Sequence, residues 1–167
     1  MYSVIMKKQA FQYVAVLSLM ALSIRAADEP WITYAGKDGP GKGRHVVFVS
    51  GDEEYRSEEA CPMLAKILSQ RHGFTCTVLF AIDPKSGHVD PWEQTNIPGL
   101  HLLDSADAAV FFIRFRELPD EQMTHIVDFV NSGKGFIGIR PTIAGFNYAR
   151  NKNSPFAKWS YNSREWD

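Results

Sequence analysis

Three separated stretches hold the residues best suited to chemistry: SGDEEYRSEE at 50–59, RFREL at 114–118, and RPT at 140–142 with Asn147 and Tyr148 close behind. The first supplies Asp52, Glu53, Glu54, Tyr55 and Arg56, the second Arg114 and Arg116, the third Arg140 and Thr142. Carboxylates beside guanidinium groups can do two things. They can move protons as general acids and bases while arginine stabilises developing charge, which makes Asp52, Glu53 and Glu54 the catalytic candidates. They can also hydrogen-bond a polyhydroxylated or anionic ligand in bidentate fashion. The ligand-binding candidates are then Asp52, Glu53, Tyr55, Arg56, Arg114, Arg116, Arg140, Thr142 and Asn147. The competing reading is that the arginines pair with the acids only to tie loops together.

These stretches need a scaffold that brings them to one place. HVVFVSG (45–51), FTCTVLF (74–80), AAVFFI (108–113) and GFIGI (135–139) are continuous apolar runs, as in strands covered on both faces. Between them lie helical patterns. Ala60, Leu64, Ile67 and Leu68 form one apolar stripe, and Met123, Ile126, Val127 and Val130 a second. Pro119, Asp120 and Glu121 suit the first turn of the second helix and Gly133 its C-terminal cap. Strands alternating with helices predict an α/β fold, a flavodoxin-like parallel sheet in the order 2-1-3-4 with helices on both faces. Each chemical stretch follows a predicted strand, so all three fall at the carboxyl edge, where such sheets bind ligands.

The remaining sequence narrows the options. Eighteen basic and 19 acidic residues among 167 leave a net charge of -1, so no overall field favours nucleic acid. Lys7 and Lys8 precede an apolar run from Phe11 to Ile24 that ends in Arg25, Ala26 and Ala27. This predicts a signal peptide over 1–27, whose apolar run of about 14 residues is too short to span a bilayer as a helix. The mature chain is expected to be periplasmic or extracellular, with no stable membrane insertion. Residues 28–43 read as a polar, Gly-rich lead-in and 44–167 as the α/β domain. No strand and helix follow Phe146, which predicts a domain that is C-terminally incomplete or else capped at its edge by the last segment.

Several motifs lead nowhere. GKDGPGK (36–42) has phosphate-loop spacing, but Gly43 stands where Ser or Thr is needed and a strand follows instead of preceding it. Histidines 45, 72, 88, 101 and 125 lack metal-ligand spacing, and no metal or cofactor is expected. Trp159, Tyr161 and Trp166 suit a sugar site or cover for the sheet edge equally well. Cys61 and Cys76 fall at the start of a helix and just inside the returning strand, too far apart for a disulfide, so two buried thiols are expected. The strand-to-turn stretch GFIGIRPTIAGF has the outline of a nucleophile elbow, yet permanently protonated Arg140 occupies it.

VVFVSGDEEYRSEEACPMLAKIL, HGFTCTVLFAIDP, NIPGL, RFRELPDEQMTHIVDFVNSGKGFIGIR and AGFNY together resemble the trehalose-utilisation (ThuA-like) family over about Gly43 to Tyr148. The resemblance implies a class I glutamine-amidotransferase-like fold without the amidotransferase cysteine, and a small-molecule partner linked to sugar metabolism. Members look like GIRTxTHAF after the fourth strand. This chain has GIRPTIAGF, with Pro141 at a threonine position and Ala144 at the histidine position. Two functions follow as expectations: a secreted domain that binds, and can process, a carbohydrate or related metabolite; or a non-catalytic interaction module of a larger secreted protein.

Overall fold

A computed structural model describes residues 29–165. The expected signal peptide and Trp166 lie outside these residues. The chain folds as an α/β domain on a five-stranded, mostly parallel sheet. In sequence order the elements are β1 (Trp31–Tyr34), β2 (His45–Gly51), α1 (Ser57–His72), β3 (Thr75–Phe80), β4 (Ala108–Ile113), α2 (Asp120–Asn131) and β5 (Gly135–Gly138). Short 3-10 helices occupy Leu100–Ser105, Arg140–Ala144 and Ala157–Trp159.

The sheet order is β1-β3-β2-β4-β5. Its four parallel strands follow the anticipated 2-1-3-4 arrangement, with β2 and β4 central and paired over Val46 to Gly51. Each parallel pair needs a crossover, and these lie on both faces. Val46, Phe48, Val78, Phe80, Val110 and Phe112 pack against α1. Val47, Val49, Leu79, Ala109 and Phe111 pack on the opposite side against α2 and the Leu100–Ser105 turn. Alternate residues of β2 thus enter different cores, which explains an unbroken apolar run instead of an alternating one.

The lead-in holds an element its composition does not announce. Trp31–Tyr34 pairs antiparallel with β3 and closes that edge of the sheet. Beyond it, Lys37 and Gly41 donate backbone hydrogen bonds to the carbonyls of Ser69 and His72 at the end of α1. A side chain at Gly36 would stand 2.2 Å from the Gly73 carbonyl oxygen, so only glycine permits this approach. At the other edge β5 has no further strand partner among the described residues, and Phe136 and Ile137 are 51% and 63% exposed. The described part of the C-terminal segment leaves them exposed. It folds back over the carboxyl end of β4, where Tyr148 donates to the Leu118 carbonyl (3.0 Å) and Phe156 and Trp159 pack against the core.

The buried face of α1 differs from the anticipated stripe. Ser57, Cys61, Ala65 and Ser69 face the sheet, whereas Leu64 and Ile67 are turned outward. Ala60 and Leu68 sit at the boundary. The helix lies against bulky Phe48, Phe80 and Phe112, so small side chains at i, i+4 and i+8 let its backbone approach at close-packed density. On α2 the stripe gains Phe129 beside Met123 and Ile126. Cys61 and Cys76 are both free and buried in the α1 core. Burial pushes their thiols up to about 12 and about 11.

This packing sets a contrast. Ala65→Leu forces a larger group into the α1–sheet contact and is expected to cost about 1–3 kcal/mol, while Ile67→Ala on the outer face changes stability by less than about 0.5 kcal/mol. Urea denaturation of the two variants checks it. Equal losses would place the buried face elsewhere.

Candidate functional site

The carboxyl ends of β2, β4 and β5 open into the three stretches that carry the acids and arginines, and the chain is bent sharply to present them. Among the described residues, Arg56 and Phe115 are the non-glycine residues with positive φ, at 55° and 54°. One ends the loop after β2 and the other lies in the loop after β4. Left-handed backbone is costly for a side chain as large as phenylalanine, so the surrounding contacts must enforce it. They do so through a short ladder: Phe115 and Arg116 donate to the carbonyls of Ala144 and Gly145 (2.8 and 2.7 Å), and Asn147 donates to that of Arg116 (2.9 Å).

Arg116 is fully buried. Its Nε donates to the Arg114 carbonyl (2.7 Å), its Nη1 to those of Pro91 and Glu93 (3.2 and 2.6 Å), and its Nη2 to Glu53 Oε2 (3.2 Å). Burial pulls its pKa below the ordinary value, opposed by the charges of Glu53 and Asp52. A side chain at Gly51 would come within 3.1 Å of Arg116 Cδ, so the glycine ending β2 makes room for it. Arg116 therefore binds the protein's own loops.

Asp52 is likewise fully enclosed. Its Oδ1 accepts the backbone N–H groups of Glu54 and Tyr55 (2.9 and 2.6 Å), which folds the loop, and its Oδ2 is buried without a hydrogen-bond partner. Glu53, with a side chain 8% exposed, joins Arg116 to Arg114, whose Nη1 lies 2.5 Å from Glu53 Oε1 and 2.9 Å from Glu54 Oε2. The guanidinium of Arg114 also stacks 4.3 Å over the Phe115 ring. Tyr55 is exposed and its hydroxyl accepts from Arg140 Nη1 at 3.3 Å.

The structure thus gathers Glu53, Glu54, Tyr55, Arg114 and Arg140 at one rim. Other candidates are placed differently. Arg56 pairs with Glu59 on the first turn of α1. Thr142 Oγ1 donates to the Phe111 carbonyl (2.7 Å), bracing β4 against the turn after β5. Asn147 lines a separate cavity of about 340 Å³ with Tyr148 and Lys152. Sequence reasoning passed over Glu117, a buried carboxylate that accepts from the backbone N–H of Arg150 (2.9 Å) and from its Nε (2.8 Å), as well as from Asn151 N–H. Its position directly after the second arginine of RFREL was the available signal.

Among the described residues no group of three or more His, Cys, Asp or Glu is arranged to hold a metal ion, and no helix is long and apolar enough to cross a membrane. Comparison with protein-family models, curated proteins and solved structures finds no match to this chain.

Two outcomes follow. Arg116→Met strips the buried Glu53 of a partner and three carbonyls of their donor, and is expected to cost about 3–5 kcal/mol in urea denaturation. Arg114→Ala, at the partly exposed end of the same chain of charges, costs about 1 kcal/mol or less. For Glu117, burial raises the carboxyl pKa but the N–H donors of Asn151 and Arg150 outweigh it, leaving a value below the ordinary 4.5. Its contribution is therefore complete above about pH 4.5 and disappears as pH falls through the lower folded-state value. Glu117→Gln should remove that part of the acid-induced loss of stability, as read from denaturation midpoints between about pH 3 and 6.

Proposed function

We propose that the carboxyl edge of the sheet binds a small polyhydroxylated or anionic metabolite, of the carbohydrate class, in an exported protein. The observation that carries this reading is the meeting of Glu54, Tyr55, Arg114 and Arg140 from three loops at a single rim, with solvent access to Glu54, Tyr55 and Arg140. A carboxylate, a phenol and two guanidinium groups offer paired donors and acceptors suited to vicinal hydroxyls and to the carboxylate of a sugar acid. The resemblance of the rim stretches to ThuA-like proteins supports the same class.

If a reaction occurs here, Glu54 is the acid best placed for it. Asp52 is enclosed and folds its loop, Glu53 is engaged by two arginines, and the Glu54 side chain is 48% exposed beside Arg114. That geometry suits a general acid or base whose developing charge Arg114 steadies. Pro141 and Ala144 in the turn after β5 favour a second reading, a binding module without turnover, because no nucleophile stands there.

Isothermal titration of the folded chain with a panel of disaccharides and sugar acids checks the first reading. Saturable binding is expected, weakened about tenfold or more by Arg140→Ala, since a hydrogen bond to a charged group contributes roughly 1.5–3 kcal/mol. Absence of binding across the panel would overturn it. Turnover gained by combining Pro141→Thr with Ala144→His would favour a lapsed enzyme. Binding without turnover in that variant would favour the module.

A further inference from the structure

A second hollow lies beyond α1, on the β1 side of the sheet and apart from the rim side chains. It encloses about 440 Å³, within the range of roughly 300–1,000 Å³ typical of small-molecule sites. Trp31 and Ile32 of β1, Pro62 of α1, and Phe80 and Ile82 at the end of β3 give it a mainly apolar lining. Phe80 and Ile82 are buried and form the floor, while Ile32 and Val89 are 44% and 46% exposed and form the mouth.

The polar side chains of the hollow are of one kind. Glu58 and Glu29 both line it, and no lysine, arginine or histidine does among the described residues. Glu58 Oε2 is buried and has no hydrogen-bond partner. Such an atom is costly to enclose unless something supplies a donor. The main chain adds to the same imbalance. Pro62 stands inside α1 and has no N–H, so it cannot close the i+4 helical bond to the Glu58 carbonyl. An occupant that complements this lining is apolar over most of its surface, has N–H groups at one end, and is positively charged.

We propose that this cavity binds a small organic ammonium ion with an apolar or aromatic body, anchored by Glu58 and entering past Val89. The ammonium group supplies the donor that Glu58 Oε2 lacks, and Glu29 adds a second negative charge. The Phe80 ring on the α1 side of the sheet suits the body of such a ligand. This site is independent of the carbohydrate reading of the rim, because none of Glu54, Tyr55, Arg114 and Arg140 lines it.

The test titrates the whole chain, labelled with nitrogen-15, with 2-phenylethylammonium and with its neutral isostere 2-phenylethanol, following the backbone amide resonances of the lining residues Ile32 and Gly87. The ammonium ion is expected to shift Ile32 and Gly87 saturably and the alcohol to bind at least about tenfold more weakly, the difference expected for one charge-assisted hydrogen bond. Glu58→Gln should lower ammonium affinity about tenfold with an unchanged far-ultraviolet circular dichroism spectrum. Val89→Trp, at an exposed position, should block entry, and Arg140→Ala should leave binding intact. Equal affinity for ammonium and alcohol, undiminished affinity in either cavity variant, loss of binding in Arg140→Ala, or no saturation up to about 10 mM would each overturn the proposal.

Discussion

The carboxyl edge depends on one buried guanidinium. Arg116 is completely enclosed and fastens the 91–93 loop, the turn after β4 and the loop after β2 to one another. A charge removed from water is tolerated only when its donors are matched, and three backbone carbonyls and the Glu53 carboxylate do this. Glu53 in turn holds Arg114 at the surface. The rim is therefore a chain of charges running from core to solvent, and the inner end fixes the geometry of the outer end. The left-handed Phe115 fits this view: a bulky residue stays in a disfavoured conformation because both its neighbours are already tied down.

Two kinds of arginine share the edge. Arg116 spends its donors on the protein, while Arg140, exposed and bonded to the Tyr55 hydroxyl, keeps donor capacity facing outward. Arg114 stands between them, one side on Glu53 and Glu54 and its flat face on Phe115. Of the two readings open from sequence, that of loops tied by ion pairs describes the inner rim around Arg116 and Glu53, and the ligand site is the proposal made for its outer side chains.

Much of this was legible beforehand, for definite reasons. Strands covered on both faces must be apolar without interruption, so β2, β3 and β4 stood out, and the strand-helix alternation fixed a parallel order. Trp31–Tyr34 did not stand out, because a four-residue edge strand needs only one covered face and its Ile32 points outward. The α1 stripe misled because hydrophobic periodicity rewards large side chains. A helix seated on a sheet rich in phenylalanine instead needs small ones, and Cys61 and Ala65 carry that role. At the rim, residue types and edge were readable, but depth was not. RFREL offers two arginines two positions apart, and only the fold shows that the second enters the interior beside Gly51. The Glu58 cavity was hidden for the same reason, since β1 and the Ile82–Val89 bridge bring its walls together from distant positions.

The free margin at β5 has a consequence of its own. Its hydrophobic side chains point out on both sides, and added Cβ atoms at Gly135 and Gly138 would meet no atom closer than 3.4 Å. Among the described residues no strand pairs with the outer margin of β5, the arrangement by which edge strands recruit a further extended segment. An extended segment added there would lie at the margin remote from Trp31 and from the apolar hollow beside β1.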